Sequence, residues 1–433
     1  MRLNGETAWE YLERIPSFSR KKSSLQVSRN FLERLGNPDR DFRIIHVAGT
    51  NGKGSTCAML TSCLKEAGYR VGTFVSPHLV DIRERFLING EMILQELFDE
   101  AFEAVYAQMD NWTEEGNLHP TYFEFLFYMA MVLFRKAGIE ILVLETGMGG
   151  RFDVTNVIED PMVSVITSVS IDHTAFLGDT RTAIADHKAG IIKKRCPVVY
   201  DGYCQEVNDV ILANAEQMES TAAAVQNIPY RFENGRLWIT VSYQGKETDF
   251  EVPFAAPYQA RNAALAIAAL EYSGLKTDAD TLKEGLKKAK WEARMEQILP
   301  GVYLDGAHNE DGIREFLKAA EMIRAGRKGR TWLLFAVSDD KEYEEMLSEI
   351  AETLKPDVCL LSSMVSYRAL AMDELEKTAV HTMHAGTEIR CFTQVADAMR
   401  ELLSRKEDDD MAFIAGSLYL AGEIKAVLEE KHD

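Results

Sequence analysis

The chain has 433 residues, too many for one ordinary hydrophobic core, so two domains are expected. Its composition, 46% hydrophobic and 27% charged, is that of a globular protein. A net charge of −20 argues against nucleic acid as a general partner, because phosphate-backbone binding needs a basic face; small anionic ligands need only a local positive site.

The N-terminal MRLNGETAWEYLERIP has no apolar signal core. The most apolar stretch, residues 123–134, carries Glu124 and is too short to cross a bilayer. The six cysteines include no CxxC pair, which fits free thiols in a reducing compartment. A cytoplasmic location with no membrane partner is the expectation.

Runs rich in Ile and Val then alternate with helical segments. FRIIHVA, YRVGTFVS, IEILVLE, PMVSVITS and CPVVY read as buried strands. STCAMLTSCLKEAG and TYFEFLFYMAMVLFRKAG read as helices that stop at a glycine. This rhythm predicts an α/β protein with a largely parallel sheet. YRFENGRLWITVSY alternates around Asn234-Gly235, so an antiparallel flap is expected over residues 222–254. An alanine-rich helix follows in PYQARNAALAIAALEYSG. The domain boundary falls near 293–298, giving domains 1–293 and 298–433. GVYLD, TWLLFAV, DVCLLSS, EIRCFT and MAFIAG supply the strands of the second, and EEKHD is a solvated end.

RIIHVAGTNGKGSTCAML reads as strand, loop and helix. Its glycines allow a tight turn that points N–H groups inward, and the helix adds its positive end. Lys53 stands where an ammonium reaches terminal phosphates, and Ser55 or Thr56 can bind phosphate or magnesium. The match to the P-loop pattern is imperfect, since Val47 replaces the first glycine and Gly54 separates Lys53 from Ser55. A plain strand-to-helix turn is the competing reading. No guanine-type signature lies near it, which favours ATP.

HVAGTNGKGST followed by FVSPHLVDIRERFLINGE resembles the folylpolyglutamate synthase family of the Mur ligase superfamily. The likeness continues in order through LETGMGGRFDVTN, SIDHTAFLGDTRTAIADHKAGIIK, YQARNAALA, LDGAHN, FAVSDDKEY and AGSLYLAGEI. The resemblance implies a P-loop ATPase-like N-terminal domain and a Rossmann-like C-terminal one. It implies an ATP-dependent ligase that activates a folate carboxylate as an acyl phosphate for attack by L-glutamate, with dihydropteroate left open as a second acceptor. A monomer is its expectation.

By the same resemblance, Asn51, Gly52, Lys53, Gly54, Ser55 and Thr56 hold nucleotide phosphates, Asn262 touches adenine, Arg294 reaches the phosphates and Asp305 binds ribose or adenine. Ser76, Glu145 and His173 are the magnesium ligands, for two ions, with a monovalent cation left open. Lys188 corresponds to a lysine that the family can carbamylate to N6-carboxylysine. Here His187 replaces the glutamate usual beside it, and WEARME replaces the Pro-Gly-Arg turn at Arg294. Phe123, Arg151, Asp153, His308 and Asn309 are assigned to substrate, with His308 also catalytic alongside Lys53 and Lys188. Each has a plainer reading: an ST-turn for Ser76, a core helix for Phe123, a mobile loop for Arg151 and Asp153, a strand-end turn for Asp305, a basic surface run for Lys188. The competing functions are a superfamily ligase with another acceptor, a P-loop kinase or hydrolase, and a non-enzymatic nucleotide-binding regulator.

Overall fold

The computed structural model describes residues 2–3, 6–16, 24–233, 235–366 and 368–429. Eight strands form the N-terminal sheet: β1 (Arg43–Ala48), β2 (Val71–Phe74), β3 (Phe86–Ile88), β4 (Glu91–Met92), β5 (Ile141–Glu145), β6 (Val163–Ile166), β7 (Val198–Asp201) and β8 (Ala222–Val225). They lie in the order β8-β7-β6-β1-β5-β2-β3-β4. The first six of that order are mutually parallel, and β3 and β4 add an antiparallel edge.

Alternation along the strands decides which side chain serves which layer. Ile45, Val47 and Val143 pack into a core with helices Lys53–Glu66 and Tyr258–Tyr272. Ile44, Leu142 and Leu144 face the opposite core, with helix Tyr122–Ala137. That helix starts on a capping box between Thr121 and Glu124 and stops at left-handed Gly138 (φ 62°). Glu124 is thereby committed to the helix end.

One expectation is corrected. Residues 222–225 do not join the flap. Helix Gln205–Gln217 separates β7 from β8, and a crossover of that length returns the chain parallel to its partner. The antiparallel sheet is β9 (Tyr230–Glu233), β10 (Arg236–Tyr243) and β11 (Lys246–Val252). Asn234 of its expected turn lies outside the described residues, as does the expected solvated end beyond Glu429.

The C-terminal sheet comprises β12 (Glu296–Leu299), β13 (Val302–Leu304), β14 (Thr331–Phe335), β15 (Val358–Ser362), β16 (Glu388–Phe392) and β17 (Met411–Ala415), in the order β12-β13-β17-β14-β15-β16. All but β12 are parallel. Leu333 and Phe335 face one layer of helices and Trp332 and Leu334 the other, giving the three-layer arrangement of a Rossmann-like domain. Among the described residues, no helix is long and apolar enough to cross a membrane.

Candidate active site

The glycine-rich loop follows the carboxyl end of β1, where open parallel sheets place their ligands. A Cβ on Gly49 would stand 1.7 Å from Thr167 Oγ1. Gly52 has φ +88°, and a Cβ there would stand 2.3 Å from Asn262 Oδ1, so side chain and backbone conformation both demand glycine. Helix Lys53–Glu66 begins directly after it. Lys53 Nζ donates to the Thr50 carbonyl at 3.0 Å and lies 3.9 Å from Glu145 Oε1. Gln259 Nε2 donates to Ser55 Oγ at 3.2 Å, and Asn262 Nδ2 donates to Gln259 Oε1 at 2.9 Å. Helix Tyr258–Tyr272 therefore braces the loop through a chain of amides.

Glu145 ends β5 and is buried, which pushes its pKa up against the pull of Lys53. Its Oε2 accepts the amide of Ser76 at 3.1 Å. Lys188, on helix Arg181–Ala189, is 3% exposed and donates from Nζ to the Gly49 carbonyl at 2.7 Å. Burial, helped by the charge of Lys53, lowers its pKa to about 7. It is not a surface lysine of a basic run. His173 has left-handed backbone (φ 51°) and its Nε2 lies 4.0 Å from Asp172 Oδ2.

From the second domain, Asp305 accepts from Tyr258 Oη at 2.6 Å and from the Met295 and Ala307 amides at 2.8 Å. Burial raises its pKa, and Arg294 opposes this. The Arg294 backbone lies between two left-handed residues, Ala293 (φ 52°) and Met295 (φ 49°), and its Nη1 donates to the Ala293 carbonyl at 2.8 Å. His308 Nδ1 lies 2.7 Å from the Gly306 carbonyl. A carbonyl only accepts, so Nδ1 carries the hydrogen and Nε2 is the acceptor. Burial lowers this imidazole to about 4, so it is neutral near pH 7.

These groups border one cavity of about 1160 Å³ between the domains. Every residue assigned to the site lines it except Thr56, Arg151 and Asn309. Thr56 is fully buried within its helix. Arg151 is drawn away by Asp186 (2.8 Å) and Asn214 (3.2 Å), so the structure does not bring it into the cavity beside Asp153. Asn309 caps helix Glu310–Arg324 through Gly312 N (2.8 Å) and spans the domain junction. Asp153 faces the cavity but is tied to the Thr155 hydroxyl (2.6 Å) and the Met148 amide (2.9 Å). Phe123 packs across Gly147, where a Cβ would stand 2.6 Å from its ring. Sequence reasoning passed over Lys341, Gln259 and Tyr258, which also shape the site; Gln259 stands three residues before Asn262, one helical turn away.

The family described as Mur ligase middle domain matches residues 47–270, and that described as Mur ligase, glutamate ligase domain matches residues 293–418. A dihydrofolate synthase/folylpolyglutamate synthase of Bacillus subtilis is 34% identical, covering 94% of this chain and 95% of its own. The chain belongs to the folylpolyglutamate and dihydrofolate synthases of the Mur ligase superfamily. Among solved Mur-superfamily structures, Mycobacterium tuberculosis folylpolyglutamate synthase complexed with ADP is similar at TM-score 0.88 and 27% identity, over 96% of both chains. Escherichia coli FolC in complex with DHPP and ADP is similar at TM-score 0.85 and 26% identity, over 98% of this chain and 97% of that one.

Proposed function

We propose that the protein is an ATP-dependent ligase that joins L-glutamate to the carboxylate of a folate, and to dihydropteroate as a second acceptor, through an acyl phosphate. The observation that carries this reading is the convergence of Lys53, Glu145 and Lys188 from one domain with Arg294, Asp305 and His308 from the other around a single cavity. A hydrolase needs only the first set. A reaction that must keep water from an activated carboxylate gains from walls on two domains.

In this reading the glycine-rich loop, Lys53 and Arg294 hold the nucleotide phosphates, while Asn262 and Asp305 border its nucleoside end. Lys53 and Arg294 offset the repulsion between two anions as the acceptor carboxylate attacks the terminal phosphorus and ADP departs. The glutamate amine then attacks the acyl carbon, the C–N bond forms and phosphate leaves. His308 Nε2 offers an acceptor for a hydrogen of that amine.

Magnesium suits the donor set. One buried carboxylate, a hydroxyl and an imidazole leave most positions to phosphate oxygens and water, as a small hard cation prefers. Among the described residues no group of three His, Cys, Asp or Glu side chains is arranged to hold a metal by itself. Glu145, Ser76 and His173 would hold it, and the ion would supply charge neutralisation at the phosphates. Lys188 supports a further assignment. An amine lowered to about 7 is uncharged in about half of the molecules at neutral pH, and that form can attack CO2, forming an N–C bond and releasing a proton. The carbamate would turn a cation beneath Gly49 into an anion.

The test is phosphate release with Mg-ATP and L-glutamate, using a reduced folate or dihydropteroate as acceptor, with products read by mass. Addition of one glutamate that depends on both ATP and glutamate supports the proposal. Nucleotide turnover that neither acceptor stimulates would overturn it.

A further inference from the structure

A polar chain crosses the cleft beside the glycine-rich loop. Asn51, at the loop tip, exchanges hydrogen bonds with Asn309 at 3.1 Å in both directions and donates to Asp311 Oδ2 at 3.1 Å. Asn309 Nδ2 also donates to Asp172 Oδ2 at 3.0 Å. The other oxygen of Asp172 receives Lys341 Nζ at 2.8 Å and the His173 amide at 2.8 Å. Asn51 and Asp172 belong to the first domain; Asn309, Asp311 and Lys341 belong to the second.

The ion pair in this chain is well shielded, with side chains 12% and 9% exposed for Lys341 and Asp172. A shielded pair is costly to break on one side only, because the remaining charge stays desolvated. Moving the domains apart breaks it on both sides at once and rehydrates both charges. The contact therefore favours two states, closed and open, over a range of intermediate gaps. Lys341 sits on the loop after β14 and lines the cavity, with its ammonium engaged by Asp172.

We propose that Lys341 is a positioning residue: by pairing with Asp172 across the cleft it clasps the C-terminal domain over the glycine-rich loop and so denies water access to the activated acceptor. This rests on the ligase reading given above. Its consequence is chemical. If water reaches the acyl phosphate, the P–O or C–O bond is hydrolysed, the carboxylate is regenerated, and ATP is consumed without an amide being formed.

The experiment compares wild type, Lys341→Met and Lys341→Arg. Domain separation in the Mg-ADP-bound protein is read by a spin-label pair with one label on each domain. Phosphate and amide are measured in the same reaction. Wild type should release equal amounts of the two. Lys341→Met should widen the domain separation, release several-fold more phosphate than amide, and lower kcat for amide formation by about tenfold while KM for the folate holds. Lys341→Arg, which keeps the charge, should restore both separation and ratio. The proposal is overturned if Lys341→Met keeps the wild-type separation and ratio, or if Lys341→Arg is as leaky as Lys341→Met. Should Lys341→Met fail to fold, Asp172→Asn breaks the pair from the other side, and the same readouts decide. If wild type forms no amide with either acceptor, the ligase reading fails, and the separation measurement still decides whether the clasp exists.

Discussion

Lys188 Nζ and the carbonyl of Gly49 are joined at 2.7 Å, so a buried lysine on one helix is fastened to the backbone of the glycine-rich loop. Neither residue could be exchanged without disturbing the other. The loop has no space for a Cβ at Gly49, and the lysine has been pulled from 10.5 to about 7.

Lys188 should therefore mark the pH dependence of stability. The unfolded chain holds the lysine proton up to about pH 10.5, whereas the folded chain gives it up near 7. Stability from this site is lowest below about pH 7 and recovers as pH rises toward 10.5. Denaturant titrations of ligand-free protein at pH 6.5 and pH 9 should differ for wild type, and the difference should shrink in Lys188→Met. Independently, 13C-bicarbonate should give a carbamate carbon signal in wild type that Lys188→Met lacks. Absence of that signal from an active enzyme would end the carbamate assignment.

Glu145→Gln separates stability from function. The buried carboxylate has its pKa raised by desolvation, so its contribution is full below about pH 4.5 and is lost as pH climbs through the folded value. At neutral pH and without nucleotide, the glutamine variant should be more stable, because it carries no charge that burial penalises. Its ligase rate should fall by about 10²-fold or more, since a ligand to a phosphate-bound cation would be gone. Thermal melts and initial rates on the same preparation check both.

Lys53→Met should lower kcat by about 10²–10³-fold through lost phosphate stabilisation. Among the described residues Lys53 donates to the Thr50 carbonyl and stands 3.9 Å from buried Glu145, whose charge it helps to hold, while its own charge opposes that of buried Lys188; the two effects offset, so its removal should shift the melting temperature little. A large drop in melting temperature would instead assign the lysine to folding.

Ala293→Gly is expected to stabilise. Ala293 is fully buried at φ 52°, a conformation that costs a residue with a Cβ about 1 kcal/mol. Glycine relieves that cost but loses more entropy on folding, so a net gain of roughly 0.5 kcal/mol is expected in the denaturation midpoint. A loss of stability would show that the surroundings prefer the methyl group.

Much of the architecture was already legible in the strands. Ile44, Ile45 and Val47 announce a strand buried on both faces, and alternation with helical segments announces parallel pairing. Residues 222–225 misled because four small residues carry no alternation; only the intervening helix Gln205–Gln217 makes them a parallel edge. At the site, local chemistry identified Lys53 and its glycines, since a strand, a turn and a helix start are consecutive in the chain. Asp305 and Glu145 were legible as acids at strand ends.

What the sequence determined by itself was therefore local: element types, the glycine-rich turn, and the family carried by its ordered blocks. What only the tertiary structure decided was long-range. Arg151 turns to Asp186, thirty-five residues on, and leaves the cavity. Lys341 meets Asp172 across 169 positions. Lys188 becomes an amine that titrates near 7 because the packed fold removes it from water. Hydrogen-bonding partners and desolvation depend on which surfaces fold together, and one-dimensional spacing contains neither.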